Sequence, residues 1–237
     1  MQDKVTTLEV SKVICSAYEL ARKSGIHLEM GDDFEEYVRI TGSLPGKSPT
    51  YPSFRPDCSD LLPGEAFWLI GRDRQDRVAH VQAMRLCDLT NTSLDEHLET
   101  LRAFFTDPDL KAGPGSSCSC YAPSAQRITG LVAYRGDLWL REDFRGRGLV
   151  ALLARIAFAL AWAEWSPDVI YALVAGWNIQ KGIADRNGYV HKEPYGAILR
   201  LPEQRISDDD WLVWLTREDV LKMLSTGSNA VVGITRQ

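Results

Sequence analysis

Three features that would mark a specialised class of protein are scarce in this sequence: paired cysteines, excess positive charge and a long uninterrupted apolar run. The five cysteines among the 237 residues are odd in number and scattered, which argues against a disulfide framework. Cys118 and Cys120 are one residue apart, closer than zinc knuckles space their ligands, and no second Cys/His pair accompanies them. We therefore expect free thiols and no metal site.

The charge balance and the apolar runs exclude two further kinds of partner. A formal net charge of −5 is unsuited to general nucleic-acid binding, which needs a basic surface. The longest apolar run, residues 149–165, is interrupted by Arg155 and Glu164 and falls short of the roughly 18 to 20 residues that a bilayer requires. The first residues lack the basic start and apolar core of a signal peptide. We expect a cytoplasmic protein with no membrane or nucleic-acid partner.

Hydrophobic periodicity and turn residues predict an N-terminal helical segment followed by a mixed sheet with helices on its faces, of the α/β or α+β class. Residues 41–64 contain five prolines and are predicted as a loop, and residues 113–123 as a second one. The predicted helices are 5–24, 33–40, 93–105, 148–165, 178–187 and 216–224, and the predicted strands are 66–71, 78–86, 128–134, 137–141, 169–175, 189–201 and 210–215.

Local patterns also predict how several of these elements begin and bend. Asp32 or Asp33 is a suitable N-cap for the second helix, and Thr216 is a suitable N-cap for the last one. Ser93 with Glu96 matches a capping box at the start of the predicted 93–105 helix. Gly136 predicts a hinge between two strand segments.

The most informative stretch, residues 138–150, predicts a strand, a tight basic turn and the start of a buried helix. Gly146 and Gly148 in this turn allow backbone N–H groups and the positive end of the helix dipole to converge on one point. Arg145 and Arg147 flank that point and add donors suited to phosphate oxygens. The turn therefore predicts a diphosphate-bearing ligand held near Gly148.

Two motifs in this region resemble the GNAT superfamily of N-acetyltransferases. Arg145, Gly148 and Val150 take the places of the family's acetyl-CoA signature, and Asn178 followed by Gly188–Tyr189 is similar to its second motif. The resemblance covers about residues 137–190. It implies a mixed, mostly antiparallel twisted sheet flanked by helices, with an N-terminal helical segment.

The resemblance also implies an organisation and an activity. Residues 1–64 would form part of the acceptor site, and residues 65–237 would form the acetyl-CoA-binding part of one compact unit. The expected reaction is acetyl transfer from the co-substrate acetyl-CoA to a primary amine, small or peptidic, by direct attack in a ternary complex. A homodimer is implied as an option, because the family often pairs through sheet edges.

The resemblance implies that acetyl-CoA is bound by the backbone of one strand and by the glycine turn. The strand would pair with the pantetheine arm, and an N–H near Trp139 or Leu140 would stabilise the oxyanion. The residues expected to bind the co-substrate are Leu138, Trp139, Leu140, Arg145, Gly146, Arg147, Gly148, Leu149, Val150, Ala151 and Asn178.

Two departures from the family pattern keep alternatives open. Val150 replaces a small residue, and Ala184 stands where many members carry the tyrosine that protonates the leaving thiolate. A non-catalytic acyl-CoA-binding regulatory or interaction module is therefore the alternative to an enzyme. A nucleotide-binding loop is a weaker alternative, since the turn lacks the Gly-Lys-Ser/Thr ending of a phosphate loop.

No motif identifies the catalytic groups. A substrate ammonium with a pKa of about 10.4 must lose a proton before it attacks, and the candidates for the residues that handle protons are Glu65, His80, Asp137 and Tyr195, with Glu193 as a further base. Tyr134 and Tyr189 are alternatives to Tyr195 as the acid. The three consecutive aspartates at 208–210 are typical of a solvated loop or strand entry, with attraction of a cationic substrate as the alternative.

Overall fold

The computed structural model describes residues 5–230 and contains eight α-helices and eight strands in that range. The helices are α1 (Thr7–Lys23), α2 (Phe34–Gly42), α3 (Leu94–Glu99), α4 (Pro108–Lys111), α5 (Leu149–Trp165), α6 (Gly176–Gln180), α7 (Ile183–Arg186) and α8 (Arg217–Ala230). The strands are β1 (His27–Gly31), β2 (Ala66–Arg72), β3 (Val78–Leu89), β4 (Ser117–Ser119), β5 (Gly130–Leu140), β6 (Val169–Ala175), β7 (His191–Leu201) and β8 (Ile206–Thr216).

All eight strands form one sheet in the order β1-β2-β3-β5-β6-β8-β7-β4. Every neighbouring pair is antiparallel except β5 with β6, which are parallel and joined by α5 as the crossover helix. The expected mixed, mostly antiparallel sheet flanked by helices is thus confirmed.

Helices cover both faces of the sheet, so the fold has two large apolar cores. On one face α1, α5 and α8 pack together, and Phe158 of α5 is fully buried there against Tyr189. On the other face lie α2, a 3-10 turn at Pro52–Phe54 and α3, with Phe54 stacked on Tyr134 of β5. Within residues 5–230, no helix combines the length and the apolar character needed to cross a bilayer.

Local capping contacts fix three helix starts, the last two of them as predicted. Thr6 and Glu9 form a capping box at α1, and the Asp33 side chain accepts the N–H of Glu36 at α2. At α8, the Asp219 carboxylate accepts both the N–H and the hydroxyl of Thr216. Each of these contacts satisfies donors that a helix start leaves free.

The prediction of one helix over residues 93–105 is wrong beyond the first turn and a half. The helix ends at Glu99, and Leu101 then adopts a left-handed φ of 61°. The capping box does not form either, because Ser93 donates to Asp95 while Glu96 accepts from Thr92. Side chains competing for the same cap have replaced the predicted pairing.

The remaining differences between the predicted and the observed elements concern two short strands, β5 and the helix predicted over 178–187. β1 lacks alternating burial and β4 has three residues, so neither shows a periodic signal, yet each pairs in register with β2 or β7. The segments predicted on either side of Gly136 are one strand, β5. The helix predicted over 178–187 is split by Gly182 into α6 and α7 and starts at Gly176, so Asn178 lies inside α6 and does not cap it.

Replacing Phe158 with alanine should lower the free energy of unfolding by about 3–5 kcal/mol, because the side chain is fully buried between α5 and the sheet. Urea unfolding followed by circular dichroism measures the change. Leu8→Ala, at an exposed position on α1, is the control and should stay within about 0.5 kcal/mol of the parent. Equal effects of the two substitutions would contradict the assigned packing of α5.

Candidate active site

A gap opens in the middle of the sheet where the two parallel strands separate. β5 and β6 pair only through Val132–Val169, Ala133–Ile170 and Tyr134–Tyr171. Beyond these pairs, β5 stays bound to β3 as far as Leu140, and β6 stays bound to β8 as far as Ala175. The gap therefore exposes two strand edges inside the sheet, and such edges can pair with an extended ligand.

A β-bulge lies on the β5 side of this gap. Ala83 of β3 pairs with Gly136 and Val81 pairs with Trp139, so two residues of β5, Asp137 and Leu138, lie opposite one residue of β3. Asp137 has a left-handed φ of 57°, which a non-glycine residue adopts only with support from its surroundings. The bulge changes the direction of the backbone just before the glycine turn.

The support for the bulge comes from the proline-rich loop and from α2. The Asp137 carboxylate accepts hydrogen bonds from Lys47 Nζ at 2.8 Å, from the Tyr37 hydroxyl at 2.8 Å and from the Thr50 hydroxyl at 3.3 Å. The side chains of Lys47 and Asp137 are each 3% exposed. Burial and the nearby Asp137 charge raise the pKa of Tyr37 well above its ordinary value. The candidate base Asp137 is thus held in a buried ion pair.

His80 holds the peptide group between Trp139 and Leu140, further along the same strand. Its ring Nδ1 lies 2.9 Å from the carbonyl oxygen of Trp139, so Nδ1 carries the proton and donates it. Burial, together with the Arg135 charge, lowers the pKa of His80 to about 3. A neutral, fully buried imidazole with such a pKa is a poor proton acceptor, and its contact positions the Trp139 peptide.

The structure places the other candidates away from the bulge. Glu65 precedes β2 near the C-terminal end of α5, where Trp165 donates to the Gly64 carbonyl at 2.7 Å. Tyr195 lies on β7, three strands from β5 in the sheet order, and is largely exposed. Glu193 accepts two hydrogen bonds from Ser124 at 2.6 and 2.9 Å. These contacts give Glu193 a structural partner on the loop before β5.

The glycine turn is open to a ligand. Gly146 and Gly148 have φ values of 74° and 73°, and a Cβ built on either residue would meet no atom within 4 Å. Gly148 caps α5 without a side-chain hydrogen bond, which leaves the first N–H groups of the helix free. Arg145 donates from Nε to the Leu140 carbonyl at 2.8 Å, and Arg147 is exposed above the Phe144 ring. The turn thus presents free donors and positive charge.

The remaining residues expected to bind acetyl-CoA lie on both sides of the gap. Leu138 is exposed at the bulge, Trp139 is half-buried and Leu140 is buried. Leu149, Val150 and Ala151 form the first turn of α5. Asn178 is half-buried in α6, which follows the last residue of β6 directly.

A buried cation lies where β5 leaves β6. Arg135, 3% exposed, donates from Nε to Gln82 at 2.8 Å and from Nη1 to Asn187 at 3.0 Å. Its guanidinium also lies over the Phe158 ring, and Nη2 lacks a hydrogen-bond partner within the described chain. Among the described residues no carboxylate forms a salt bridge with it. It therefore supplies uncompensated positive charge at the closed end of the gap.

The sequence alone did not single out Asp210 from its two acidic neighbours, and the structure places it at the open end of the gap. Asp210 pairs with Ala175, the last residue of β6, and is 8% exposed. Burial, followed by the charges of Asp208 and Asp209, raises the pKa of Asp210 to about 7. The alternation of β8 was the available signal, since Leu212 lies two residues further on the same buried face.

Two aromatic hydroxyls complete this side of the gap. Tyr51, from the proline-rich loop, donates to the Asp208 carboxylate. Tyr134 is stacked on Phe54 and packs at a tilt against Tyr171, and its hydroxyl would lie 2.8 Å from a Cβ built on Gly136. Burial, followed by the charges of Asp210 and Asp137, raises the pKa of Tyr134. Tyr134 therefore lies between the bulge and the acidic strand β8.

Other potential sites lie elsewhere or are absent from the described range. A groove of about 1170 Å³ between α1, α5 and α8 is lined by Val10, Trp162 and Leu221 among others and lies away from the gap. No group of three or more His, Cys, Asp or Glu side chains within residues 5–230 is arranged to hold a metal ion. The five cysteines are free thiols.

Comparison with known proteins finds remote similarity in structure alone. No family model matches the sequence. No curated protein matches it either. Mutant forms of the spermidine/spermine N-acetyltransferase SpeG from Vibrio cholerae are 11% identical, with a TM-score of 0.45 over 84% of this chain and 98% of theirs.

Two further solved structures are similar to the same degree. NAA60 from Arabidopsis thaliana, in complex with acetyl-CoA, is 14% identical, with a TM-score of 0.45 over 81% of this chain and 98% of that one. A dodecameric spermidine N-acetyltransferase from Vibrio cholerae is 9% identical, with a TM-score of 0.47 over 84% and 97%.

Lys47→Met should destabilise the fold far more than Lys192→Met. The first substitution leaves Asp137 buried without its cation, at a cost of about 3–5 kcal/mol. The second removes a surface pair with Asp185, worth about 0–1 kcal/mol. Urea unfolding of both variants at one pH measures the difference. Comparable small losses would show that the bulge does not depend on the buried pair.

Asp210 should make the fold less stable as the pH rises towards neutrality. Its pKa of about 7 in the folded chain exceeds the value of about 3.9 expected after unfolding. Between these values the folded state binds the extra proton, so the free energy of unfolding falls by up to about 1.4 kcal/mol per pH unit.

Urea unfolding at several pH values between about 4 and 8 tests this slope. Asp210→Asn should remove it and should gain relative stability towards the upper end of the range, whereas the control Asp109→Asn, at an exposed position of α4, should retain it. Parallel pH profiles for the parent and Asp210→Asn would contradict the raised pKa.

Proposed function

We propose that this chain is an N-acetyltransferase of the GNAT type, which transfers an acetyl group from acetyl-CoA to a primary amine by direct attack in a ternary complex. The observation that carries the proposal is the gap between β5 and β6, bordered by a β-bulge and followed at once by an open, basic glycine turn. An anionic ligand with an extended amide arm fits both parts together.

The glycine turn would hold the diphosphate of acetyl-CoA. The free N–H groups at the start of α5 and the helix dipole favour an anion at this position. Arg147 is exposed beside them and is free to reach a phosphate oxygen. Without an anion, two arginines at a helix N-terminus would be electrostatically unfavourable, so their position itself supports the assignment.

The pantetheine arm would lie along the open edges of β5 and β6 like an added strand. Alternation along β5 indicates which peptide faces the gap. Arg141 donates its N–H to Ala79 of β3 at 2.8 Å, so Leu140 presents its N–H and carbonyl to the opposite side. The Leu140 carbonyl accepts a hydrogen bond from Arg145 Nε at 2.8 Å, on the side of the glycine turn. The Leu140 N–H is therefore the preferred oxyanion donor, which narrows the expected choice between Trp139 and Leu140.

The charge at the closed end of the gap supports transfer chemistry. Attack on a thioester develops negative charge on oxygen and then on sulfur, and positive charge held in a dry site stabilises both. Arg135 is buried there without a paired carboxylate among the described residues. Losing one well-placed donor of this kind typically raises the barrier by about 2.7–4 kcal/mol.

One observation favours the alternative of a non-catalytic acyl-CoA-binding module. Ala184, in the place of the family's acid tyrosine, is buried in the helix-side core. That position therefore supplies no proton to a leaving thiolate. The two functions differ in one readout, because both bind acetyl-CoA and only the enzyme releases free thiol in the presence of an amine.

Calorimetric titration with acetyl-CoA tests the binding site. Arg147→Ala should weaken binding about 10- to 100-fold, the loss expected for a charge-assisted hydrogen bond. Arg102→Ala, at an exposed position after α3, is the matched control and should bind like the parent. The proposal fails if the parent does not bind acetyl-CoA at high micromolar concentration, or if the two variants bind equally well.

Thiol release with a panel of primary amines then separates the enzyme from the binding module. We expect release that depends on both acetyl-CoA and amine. Binding of acetyl-CoA without release for any amine would favour the module.

A further inference from the structure

We propose that Asp208 and Asp210 of β8, together with Tyr134, form the acceptor site, which binds a primary alkylammonium ion and passes its proton to the Asp210 carboxylate. This inference rests on the proposed function and names the substrate class and the base for the same site. The resemblance to a family assigns neither aspartate a role, and the sequence alone offers residues 208–210 to a cationic substrate only as an alternative to solvated chain.

The topology places these groups at the gap on the face opposite α5. Ala175, the last residue of the part of β6 that does not pair with β5, pairs directly with Asp210 of β8. Asp208 lies two residues earlier and so projects from the same face of β8. Tyr134 marks the point where β5 and β6 separate, and its hydroxyl lies against Gly136 beside the bulge. An amine at this position would therefore be next to the end of the cofactor arm.

Two buried polar groups at this place lack protein partners. The Asp210 carboxylate and the Tyr134 hydroxyl belong to residues 8% and 5% exposed, and neither forms a side-chain hydrogen bond within the described chain. Neither the Asp210 carboxylate nor the Tyr134 hydroxyl is among the polar atoms that are enclosed without a partner, so both groups reach the solvent of the gap and are open to a ligand. A donor with several N–H groups, such as an ammonium, satisfies the carboxylate and the phenol oxygen at once.

The carboxylates of Asp208 and Asp210 have no cationic partner in the described chain, whereas those of two neighbouring aspartates do. Asp137 is neutralised by Lys47, and Asp209 by Arg200 at 2.7 Å. The Asp208 carboxylate accepts only from the neutral Tyr51 hydroxyl within the described chain, because Arg200 donates to the Asp208 backbone carbonyl instead. Asp210 forms no salt bridge there. Two carboxylates without cations in a largely buried site favour a ligand that brings positive charge.

The groups facing Asp210 come from several elements and define its titration. Asp208 and Asp209 lie on its own strand, Tyr134 on β5 and Cys118 on β4, and the Asp210 charge helps to raise the pKa of both Tyr134 and Cys118. Tyr51 of the proline-rich loop and Arg200 of β7 complete the surroundings on the Asp208 side. Burial and the neighbouring aspartates keep the pKa of Asp210 at about 7, a value suited to accepting a proton at neutral pH.

The proton and electron balance of the step is complete without another reactant. The ammonium gives one proton to the Asp210 carboxylate, and the nitrogen lone pair then forms a C–N bond to the thioester carbon. The tetrahedral oxyanion collapses with cleavage of the C–S bond. The second nitrogen proton ends on the thiolate, and Asp210 returns its proton to water. The products are the N-substituted acetamide, free CoA thiol and one proton.

Binding of 1,4-diaminobutane and n-butylamine, measured by calorimetry at about pH 8 and about pH 5.5, on either side of the Asp210 pKa, tests the site directly. The parent should bind the amines at the higher pH and at least about tenfold more weakly at the lower pH, where Asp210 carries a proton. Asp210→Asn should bind at least about tenfold more weakly at the higher pH and lose the pH dependence. Asp109→Asn, at an exposed position of α4 away from this site, is the control and should behave like the parent.

Acetyl-CoA binding and thiol release in the same samples separate this inference from the proposed function. Asp210→Asn should bind acetyl-CoA like the parent, and its rate of thiol release should no longer rise with pH through about 7. Amine binding by Asp210→Asn that equals that of the parent, or an absence of amine binding by the parent, would overturn the acceptor site. If the parent does not bind acetyl-CoA, the proposed function is wrong. The amine titrations then decide by themselves whether Asp208 and Asp210 bind an ammonium ion.

Discussion

The site depends on one feature of the sheet. The pairing of β5 with β6, the only parallel pairing among the described residues, ends early. β5 and β6 share three residue pairs and then separate, while each remains bound to an antiparallel neighbour. A sheet normally satisfies its interior backbone groups with the next strand, so a gap of this kind leaves donors and acceptors for a ligand. The buried Lys47–Asp137 pair and the contact from His80 to Trp139 hold the open edge in its irregular conformation.

Charge is distributed unequally around this gap. The glycine turn with Arg145 and Arg147 is positive, and Arg135 adds a buried cation at the closed end. Across the gap, β8 contributes the uncompensated carboxylates of Asp208 and Asp210. An anionic cofactor and a cationic acceptor would therefore be drawn to different sides and meet where the strands separate. The net charge of −5 does not reveal this arrangement, because the sum hides opposite local signs.

Local sequence patterns predicted the parts of the site that are themselves local. The glycine turn, the buried helix α5 and the central strand β6 follow from adjacent residues, and so do the caps of α2 and α8. The anchor of the bulge was not predictable in this way, since Lys47 and Asp137 are 90 residues apart in the chain. The burial of Asp210 was not predictable for a related reason: three adjacent aspartates are typical of solvated chain, whereas strand alternation turns this one towards the buried face of β8.

Hydrogen–deuterium exchange with and without acetyl-CoA reports on the backbone N–H groups that the gap leaves open to a ligand. If acetyl-CoA binds there, exchange should slow at residues 146–151, at Leu140 and along residues 172–175, with little change in the groove between α1 and α8. Protection that avoids the glycine turn and both edges of the gap, or that is confined to that groove, would contradict binding at the gap.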